Sequence, residues 1–528
     1  MTNSIEELEK SDVILVTGSN TTEMHPVIGS VIKRAVRNGK TKLIVVDSRR
    51  IDLVEHAEIW LRQRPGSDVA WLNGMMNVII TEGLYAKEYV AGRTEGFEAL
   101  KEMVAKYPPE KVEEISGIPK DDLIAAARLY AAAPAAAIAY AMGITQHING
   151  TDAVKSVANL AMLCGNIGIE SGGVNPLRGQ NNVQGACDMG GLPNVFSGYQ
   201  PVTSQEVRDK MAKAWRVASL PGNVGLTIVE IIDGAAKGKI KGLYVMGENP
   251  MVSDPDLHHV EAGLKALDFL VVQDIFMTET AQLADVVLPA ACFAEKEGTF
   301  TNTERRVQRV RKAVEPPGEL PADWEILCRL ATRMGYEMKY PSAEAVFNEI
   351  AAVTPSYAGM DYQRLDKAGL QWPCPTKDHP GTKYLHKGRF SRGKGLFHAV
   401  DWIAPAELPD KDFPFLLTTG RVLYQYHTGT MSRRSVGLNE RYPECLIEIN
   451  GEDAAKMGVK DGDKVRVISR RGEIEAKATV GEVTDVGTIF IPFHFNESAV
   501  NKLTIAALDP VAKIPEYKVC AVKLEKVA

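Results

Sequence analysis

DVILVTGSN (residues 12–20) is an apolar run that ends in a glycine-containing turn, and KLIVVDSR (42–49) is a second such run with an acid at its carboxyl end. Between them Pro26 falls in the first turn of a helix whose apolar stripe is Val27, Ile28, Val31, Ile32 and Ala35. Proline suits that position because its missing N–H would have no intrahelical partner. Strand, glycine turn, helix, strand, acid is the order of a nucleotide-binding α/β unit. GSNTTEMHP departs from the usual fingerprint, since it contains no G-x-G-x-x-G, and Asp47 alone is weak evidence because many parallel strands end in Asp. RPGSDVAWLNGM (64–75) opens another helix, with Ser67 and Asp68 placed to bind a phosphate or to cap.

Further along, Leu84 to about Ala137 reads as helical, and IPKDDLIAAARLYAAA has a clear 3.6-residue period. AAIAYAMGITQ (136–146) is a short strand running into a loop that carries Met142, Gly143 and Gln146. His147 reads as a surface histidine rather than a ligand. TDAVKSVANLAMLCGNIG is a helix stopped at Gly165, with Cys164 a structural thiol on its apolar face. A second α/β pattern follows. KGLYVMGENPMVSD (241–254) is a strand and a turn, and FLVVQDIFMTETAQLADVVLP (269–289) is strand, helix and strand. Ligands of such sheets sit beyond the carboxyl ends of the strands, where Glu248, Asn249, Ser253, Gln273 and Asp274 fall. EKEGTFTNTERRVQ (295–308) is a loop turning extended, most of its charges solvated, and Asp323 starts a helix that it could simply cap.

A boundary rich in Pro and charge falls near 405–414, after which short strands and turns take over, with EDAAKMGV as one inserted helix. The expected fold class is α/β plus all-β: two doubly wound, Rossmann-like domains over 1–180 and 181–410, and a β-barrel of double-psi type over 411–528. GRVLYQYHTGTMSRR (420–434) converges Arg421, His427, Thr428 and Thr430, a cation, an imidazole and two hydroxyls that suit a pyrophosphate. His427 has no histidine or carboxylate at metal-ligand spacing.

Composition narrows the function. The net charge is −6 and no basic cluster is interleaved with aromatics, which argues against nucleic acid as a partner. No apolar run approaches the ~18 residues of a membrane span. The seven cysteines are scattered without a C-x-x-C, so neither an iron–sulfur ligand set nor a zinc ribbon follows from local spacing. Their scatter and odd number fit reduced thiols in a cytoplasmic protein.

NPLRGQNNVQGACDMGG (175–191) is the most specific stretch. Its Gly and Asn content disfavours both helix and strand. Arg178 is its only cation, and a planar guanidinium suits a carboxylate or phosphate held at two points. Val183, Ala186, Cys187, Met189 and Leu192, threaded through the polar residues, suit a buried loop wrapped round a large polar ligand.

RGQNNVQGACDMG resembles the active-site loop of molybdopterin-dependent oxidoreductases, most closely formate dehydrogenase catalytic (alpha) subunits, and the resemblance extends over essentially the whole chain. It implies an enzyme that oxidises formate at a bis-molybdopterin guanine dinucleotide carrying molybdenum or tungsten, with Arg178 orienting formate. It further implies cofactor contacts from Gly179, Gln180 and Asn182. G-x-N-x-x-x-x-H-P and D-x-R would place Asn20, Glu23, Asp47 and Arg49 on one guanine dinucleotide, with Gly66, Asp68, Met142, Gly143 and Gln146 beside it. Glu248, Asn249, Ser253, Gln273, Asp274 and Asp323 would serve the second, Gly298 and Asn302 match a family loop, and Arg421, His427, Thr428, Asn496, Asn501 and Lys518 would reach the cofactor from the barrel. The implied partners are formate and electron-transfer subunits: an iron–sulfur or flavin protein, or a hydrogenase. Two family features are expected upstream of Met1: the four-cysteine segment for a four-iron four-sulfur cluster, and the cysteine or selenocysteine that ligates the metal. A reading frame restarted after a selenocysteine codon, a deliberately shortened chain, or a split subunit would each account for this, and a fragment lacking these parts should be inactive on its own. The alternatives are another pterin oxidoreductase such as a nitrate reductase, disfavoured by Arg178 before Gly-Gln-Asn-Asn, and a non-catalytic cofactor-binding subunit. A plain nucleotide-binding α/β protein leaves the barrel and the second dinucleotide pattern unexplained.

Overall fold

Val13–Thr17 is buried at every position, because its side chains alternate between two separate apolar clusters. Val13 and Leu15 join one with Ile44, Val46, Ala136 and Ile138, and Ile14 and Val16 join another with Leu43, Val45, Ala137 and Ala139. A strand buried on both faces belongs in a parallel sheet covered by helices on each side. The computed structural model, which describes residues 1–527, has that arrangement. The sheet order is Ile59–Leu61, Lys42–Val46, Val13–Thr17, Ala136–Tyr140, Gly173–Pro176, and every pairing is parallel. The chain runs outward in one direction from Val13–Thr17 and then in the other. That makes the carboxyl ends of Val13–Thr17 and Ala136–Tyr140 a topological switch point, where such sheets bind ligands.

The chain divides into two compact units: Met1–Leu177 with Val252–His258 and Tyr384–Ala528, and Arg178–Met251 with His259–Lys383. The first unit holds this sheet and a closed barrel. The barrel order is Phe415–Gly420, Thr488–Pro492, Leu446–Asn450, Glu473–Gly481, Lys464–Ile468, Cys520–Lys526. Phe415–Gly420 pairs in parallel with Thr488–Pro492, as does Leu446–Asn450 with Glu473–Gly481. The inserted helix is Gly451–Met457, and its first turn is capped by Asn450.

The second unit contains a three-stranded parallel sheet of Gly242–Met246, Phe269–Asp274 and Val286–Pro289. The helix expected between the last two strands is only a 3₁₀ turn, Ala281–Leu283. Side chains take the backbone donors a helix would use there: Asn249 Oδ1 accepts from Thr280 N at 3.2 Å and Thr278 Oγ1 from Ala281 N at 3.1 Å. The 295–308 segment is a hairpin of Gly298–Thr301 and Arg306–Val310, and its charges are not all solvated. Arg305 is 1 % exposed. Its guanidinium donates to the carbonyls of Trp372, Thr382 (3.1 Å) and Lys383 (3.0 Å), so backbone oxygens replace the expected water. No helix among the described residues is long and apolar enough to cross a membrane, and all seven cysteines are free.

Candidate cofactor and substrate site

In the first unit the turns leaving Val13–Thr17 and Ala136–Tyr140 touch. Gly143 N donates to Gly18 O at 3.0 Å, and a Cβ on Gly143 would lie 2.5 Å from Gly18 Cα. Only glycine permits that approach. Asn20 starts the helical turn Thr21–Met24 and bonds Glu23, whose carboxyl burial pushes above its usual pKa. Asn20 Oδ1 is buried without a hydrogen-bond partner.

Asp47 follows the second strand and accepts from Arg49 N at 3.0 Å, and burial raises its pKa. The Arg49 guanidinium forms a fork with Glu448 at 2.9 and 2.6 Å and lies 3.6 Å from the centre of the Phe490 ring. Lys518 donates to Thr419 O at 2.5 Å. Burial first, then Arg421, hold its ammonium pKa down to about 7, with Asp47 opposing and Arg49 adding to the shift. Arg421 itself is lowered by burial. His427 has a φ of +49° and is pushed down to about 3 by burial, Arg421 and His494. The hydroxyls of Thr428 and Thr430 bond each other at 2.8 Å.

His494 fixes this turn. Its Nε2 accepts from Val422 N at 3.0 Å, so the ring proton sits on Nδ1, which donates to His427 O. Burial holds its pKa down to about 4, so the ring is neutral at neutral pH. Glu448 and His494 carry no motif of their own. They are recognisable only from what they hold.

Arg421 and Arg49 both act on the Lys518 ammonium, and a pyrophosphate would suit these cations because it would relieve the repulsion among them. A bound anion also restores the Lys518 ammonium. At pH 8 the cofactor-free chain should accordingly take up about one proton per inorganic pyrophosphate bound. Calorimetry in buffers of different ionisation enthalpy measures this uptake, and Lys518→Met should abolish it. The depressed pKa also makes stability rise as pH climbs from about 7 to 10.5, the window in which the unfolded chain binds the extra proton.

Several of the other expected residues of this unit have protein partners. Gly66, φ +84°, accepts from Trp402 Nε1 at 2.9 Å. Ser67 precedes the helix Asp68–Thr81 without a side-chain cap bond. Asp68 is 1 % exposed; it accepts from Gln63 Nε2 at 2.9 Å and lies 3.6 Å from His147 Nε2. His147, expected at the surface, is 2 % exposed, because Asp68, Glu516 (3.8 Å) and the Gly143 carbonyl (2.9 Å) surround its ring. Met142 opens the helical turn that Gln146 ends. Asn501 donates to the carbonyls of Val252 and Ser253 at 3.0 and 3.1 Å, Ser253 donates to Asp254 at 2.9 Å, and Asn496 is exposed.

In the second unit Gln273 and Asp323 come together at the end of the central strand. Gln273 Nε2 donates to Asp323 Oδ1 at 2.7 Å, its Oε1 accepts from the Tyr244 hydroxyl, and Lys296 donates to Asp323 Oδ2. Asp274 accepts from Ile275 N at 2.6 Å and Phe276 N at 3.3 Å. Burial, helped by Asp274, raises the pKa of Glu248. Asn249 is a brace: besides Thr280 it bonds Glu279 at 2.8 Å. Asn302 closes the hairpin by accepting from Glu304 N at 3.1 Å and Arg306 N at 2.9 Å.

The Arg178 loop is more ordered than its composition implies. After Gly179 and Gln180, Asn182 adopts φ +61° and caps a helix, Val183–Asp188. Asn182 Oδ1 accepts from Thr301 N at 2.9 Å, and a Cβ on Gly185 would strike that oxygen at 2.1 Å. The apolar residues are not the buried ones: Ala186 is exposed and Leu192 is 39 % exposed, while Gln184 and Asp188 are buried. Arg178 N donates to Thr303 Oγ1 at 3.0 Å, and its Nε donates to Gln184 Oε1 at 3.4 Å.

Residues 1–333 match the family model for molybdopterin oxidoreductases, and 415–521 match that for the molybdopterin dinucleotide binding domain. The chain belongs to the molybdopterin oxidoreductase family. Among its relatives, the F420-dependent formate dehydrogenase subunit alpha of Methanocaldococcus jannaschii is 56% identical over 531 residues, covering 100% of this chain and 78% of that protein. Formate dehydrogenase H of Escherichia coli is 42% identical over 534 residues, covering 100% of this chain and 74% of that protein. The acetylene hydratase structure from Pelobacter acetylenicus superposes with a TM-score of 0.76 at 23% identity, covering 99% of this chain and 81% of that one, a likeness of fold. In this family chain, the cations Arg49, Arg421 and Lys518, the carboxylate of Asp47 and the Gly18–Gly143 crossing, and separately Gln273 and Asp323, are groups of a kind that would fit a guanine dinucleotide.

Proposed function

We propose that the chain is the catalytic part of a formate dehydrogenase that oxidises formate reversibly to carbon dioxide. The observation that carries this reading is Arg178, leading the Gly-Gln-Asn-Asn turn with its Nε on Gln184, in a chain 56% identical throughout to a formate dehydrogenase alpha subunit. Bis-molybdopterin guanine dinucleotide with molybdenum or tungsten, when bound, accepts the two electrons that formate gives up. The chain's own residues orient and neutralise. Arg178 pairs with the carboxylate, Asn20, Glu23, Asp47, Arg49 and Lys518 hold one dinucleotide, and Gln273 and Asp323 hold the other. Segments 1–180 and 181–410 thus each bind one nucleotide arm, and the barrel of 411–528 adds Arg421, His427, Thr428 and Lys518. The electrons then pass to an iron–sulfur or flavin protein or a hydrogenase. Free cysteines throughout support a cytoplasmic location.

The holoenzyme should reduce a one-electron viologen dye with formate, releasing one carbon dioxide per two dye molecules and containing two pterins per metal. Dye reduction by another small substrate but not by formate would overturn the reading.

A further inference from the structure

We propose that Asp188 is a positioning residue for the substrate, setting the amide orientation of Gln184 and through it the guanidinium of Arg178. This rests on the reading of Arg178 as the group that holds formate.

Asp188 is 1 % exposed, yet its carboxylate accepts four hydrogen bonds. Gln184 Nε2 (2.8 Å) and the Tyr199 hydroxyl (3.0 Å) reach Oδ1, and the Tyr357 hydroxyl (2.6 Å) and Trp372 Nε1 (2.7 Å) reach Oδ2. An ionised carboxylate only accepts, so Gln184 must turn its amide nitrogen towards Asp188. That nitrogen's second contact is the Tyr199 oxygen at 2.9 Å. The amide oxygen is thereby left facing Arg178 Nε. Flipping the amide would set its N–H groups against a guanidinium N–H, and Gln184 is only 5 % exposed, so little water reaches the mismatch. The acceptor character of Asp188 thus travels through one amide to the substrate-binding cation. Tyr357 and Trp372 hold the far oxygen, so the carboxylate cannot turn away.

Asp188→Asn inverts this polarity without changing shape. Because an indole N–H only donates, the new carbonyl oxygen must face Trp372, and the new NH2 then faces Gln184. Gln184 flips and presents its own NH2 to Arg178. Formate kcat/KM should fall about 5- to 150-fold, mainly through KM, with metal and pterin content unchanged. Adding Trp372→Phe removes the constraint. The asparagine can then turn its NH2 to the Tyr357 hydroxyl, which can accept, and its oxygen back to Gln184. D188N/W372F should therefore recover to within about 3-fold of W372F alone, whereas two merely structural lesions would compound. Gln184→Leu, which leaves Asp188 its three other donors, should raise formate KM to a similar degree and gain nothing from W372F. A double variant worse than D188N, or D188N with unaltered formate kinetics, overturns the proposal. Unaltered formate kinetics in Arg178 variants would instead overturn the reading of Arg178 itself.

Discussion

Arg178→Ala should lower kcat/KM for formate by about 30- to 5000-fold, the range expected when one partner of a desolvated charge pair is removed at a cost of about 2–5 kcal/mol. Formate has three heavy atoms and no apolar handle. Nearly all of its recognition must come from the carboxylate, and the planar guanidinium fork matches that group at two points. Arg178→Lys keeps the charge and loses the fork, so it should recover only part of the loss. The backbone N–H of Arg178 on Thr303 survives either substitution, and the helix Val183–Asp188 is held by Asn182 and Asp188 rather than by Arg178. Both variants should therefore fold and load cofactor normally. Dye-linked steady-state kinetics alongside metal analysis checks this. An Arg178→Ala enzyme with full cofactor and formate kcat/KM within about 3-fold of the parent would remove Arg178 from substrate binding.

How far the sequence reveals this molecule depends on whether the deciding interactions are local. Val13–Thr17 and Lys42–Val46 are legible as buried parallel strands because continuous apolar runs have no other way to satisfy their surface. The barrel is legible in part, because Lys464–Ile468 and Glu473–Gly481 alternate buried and more exposed residues and are joined by a short turn. The polar interior is not. His147 reads as a surface residue because nothing beside it in sequence accounts for its burial; Asp68 and Glu516 do so from far along the chain. Arg305 sits in a charged run that looks solvated, and the three carbonyls that hold it come from residues 372–383. Arg178, Gln273 and Asp323 stand out by motif or by position at strand ends, but their supporting residues Gln184, Asp188 and Lys296 do not, because a hydrogen-bonding partner has no sequence period.

Gly143→Val should both destabilise the first unit and weaken binding of the dinucleotide proposed for this end of its sheet. Between the ends of Val13–Thr17 and Ala136–Tyr140 the backbones meet. A Cβ on Gly143 lies 2.5, 2.7 and 2.9 Å from Gly18 Cα, O and C, all main-chain atoms that cannot swing aside. The reverse substitution is no easier, because Gly18 has φ +55° and its Cβ would lie 2.7 Å from Gly143 C. Relief requires the two turns to separate, breaking the Gly143–Gly18 hydrogen bond of 3.0 Å and shifting the Gly143 carbonyl that His147 contacts. Overpacking of this kind costs about 1–3 kcal/mol or more. Because the strain falls at the switch point of the sheet, the same distortion should weaken cofactor binding by about 5- to 150-fold. Gly451→Ala provides the contrast: that glycine has open space for a Cβ and opens a helix, so its substitution should be neutral or slightly stabilising. Thermal unfolding with pterin content per chain separates the two. If Gly143→Val retained full pterin and the parent melting temperature, the close crossing would not be what shapes this end of the sheet.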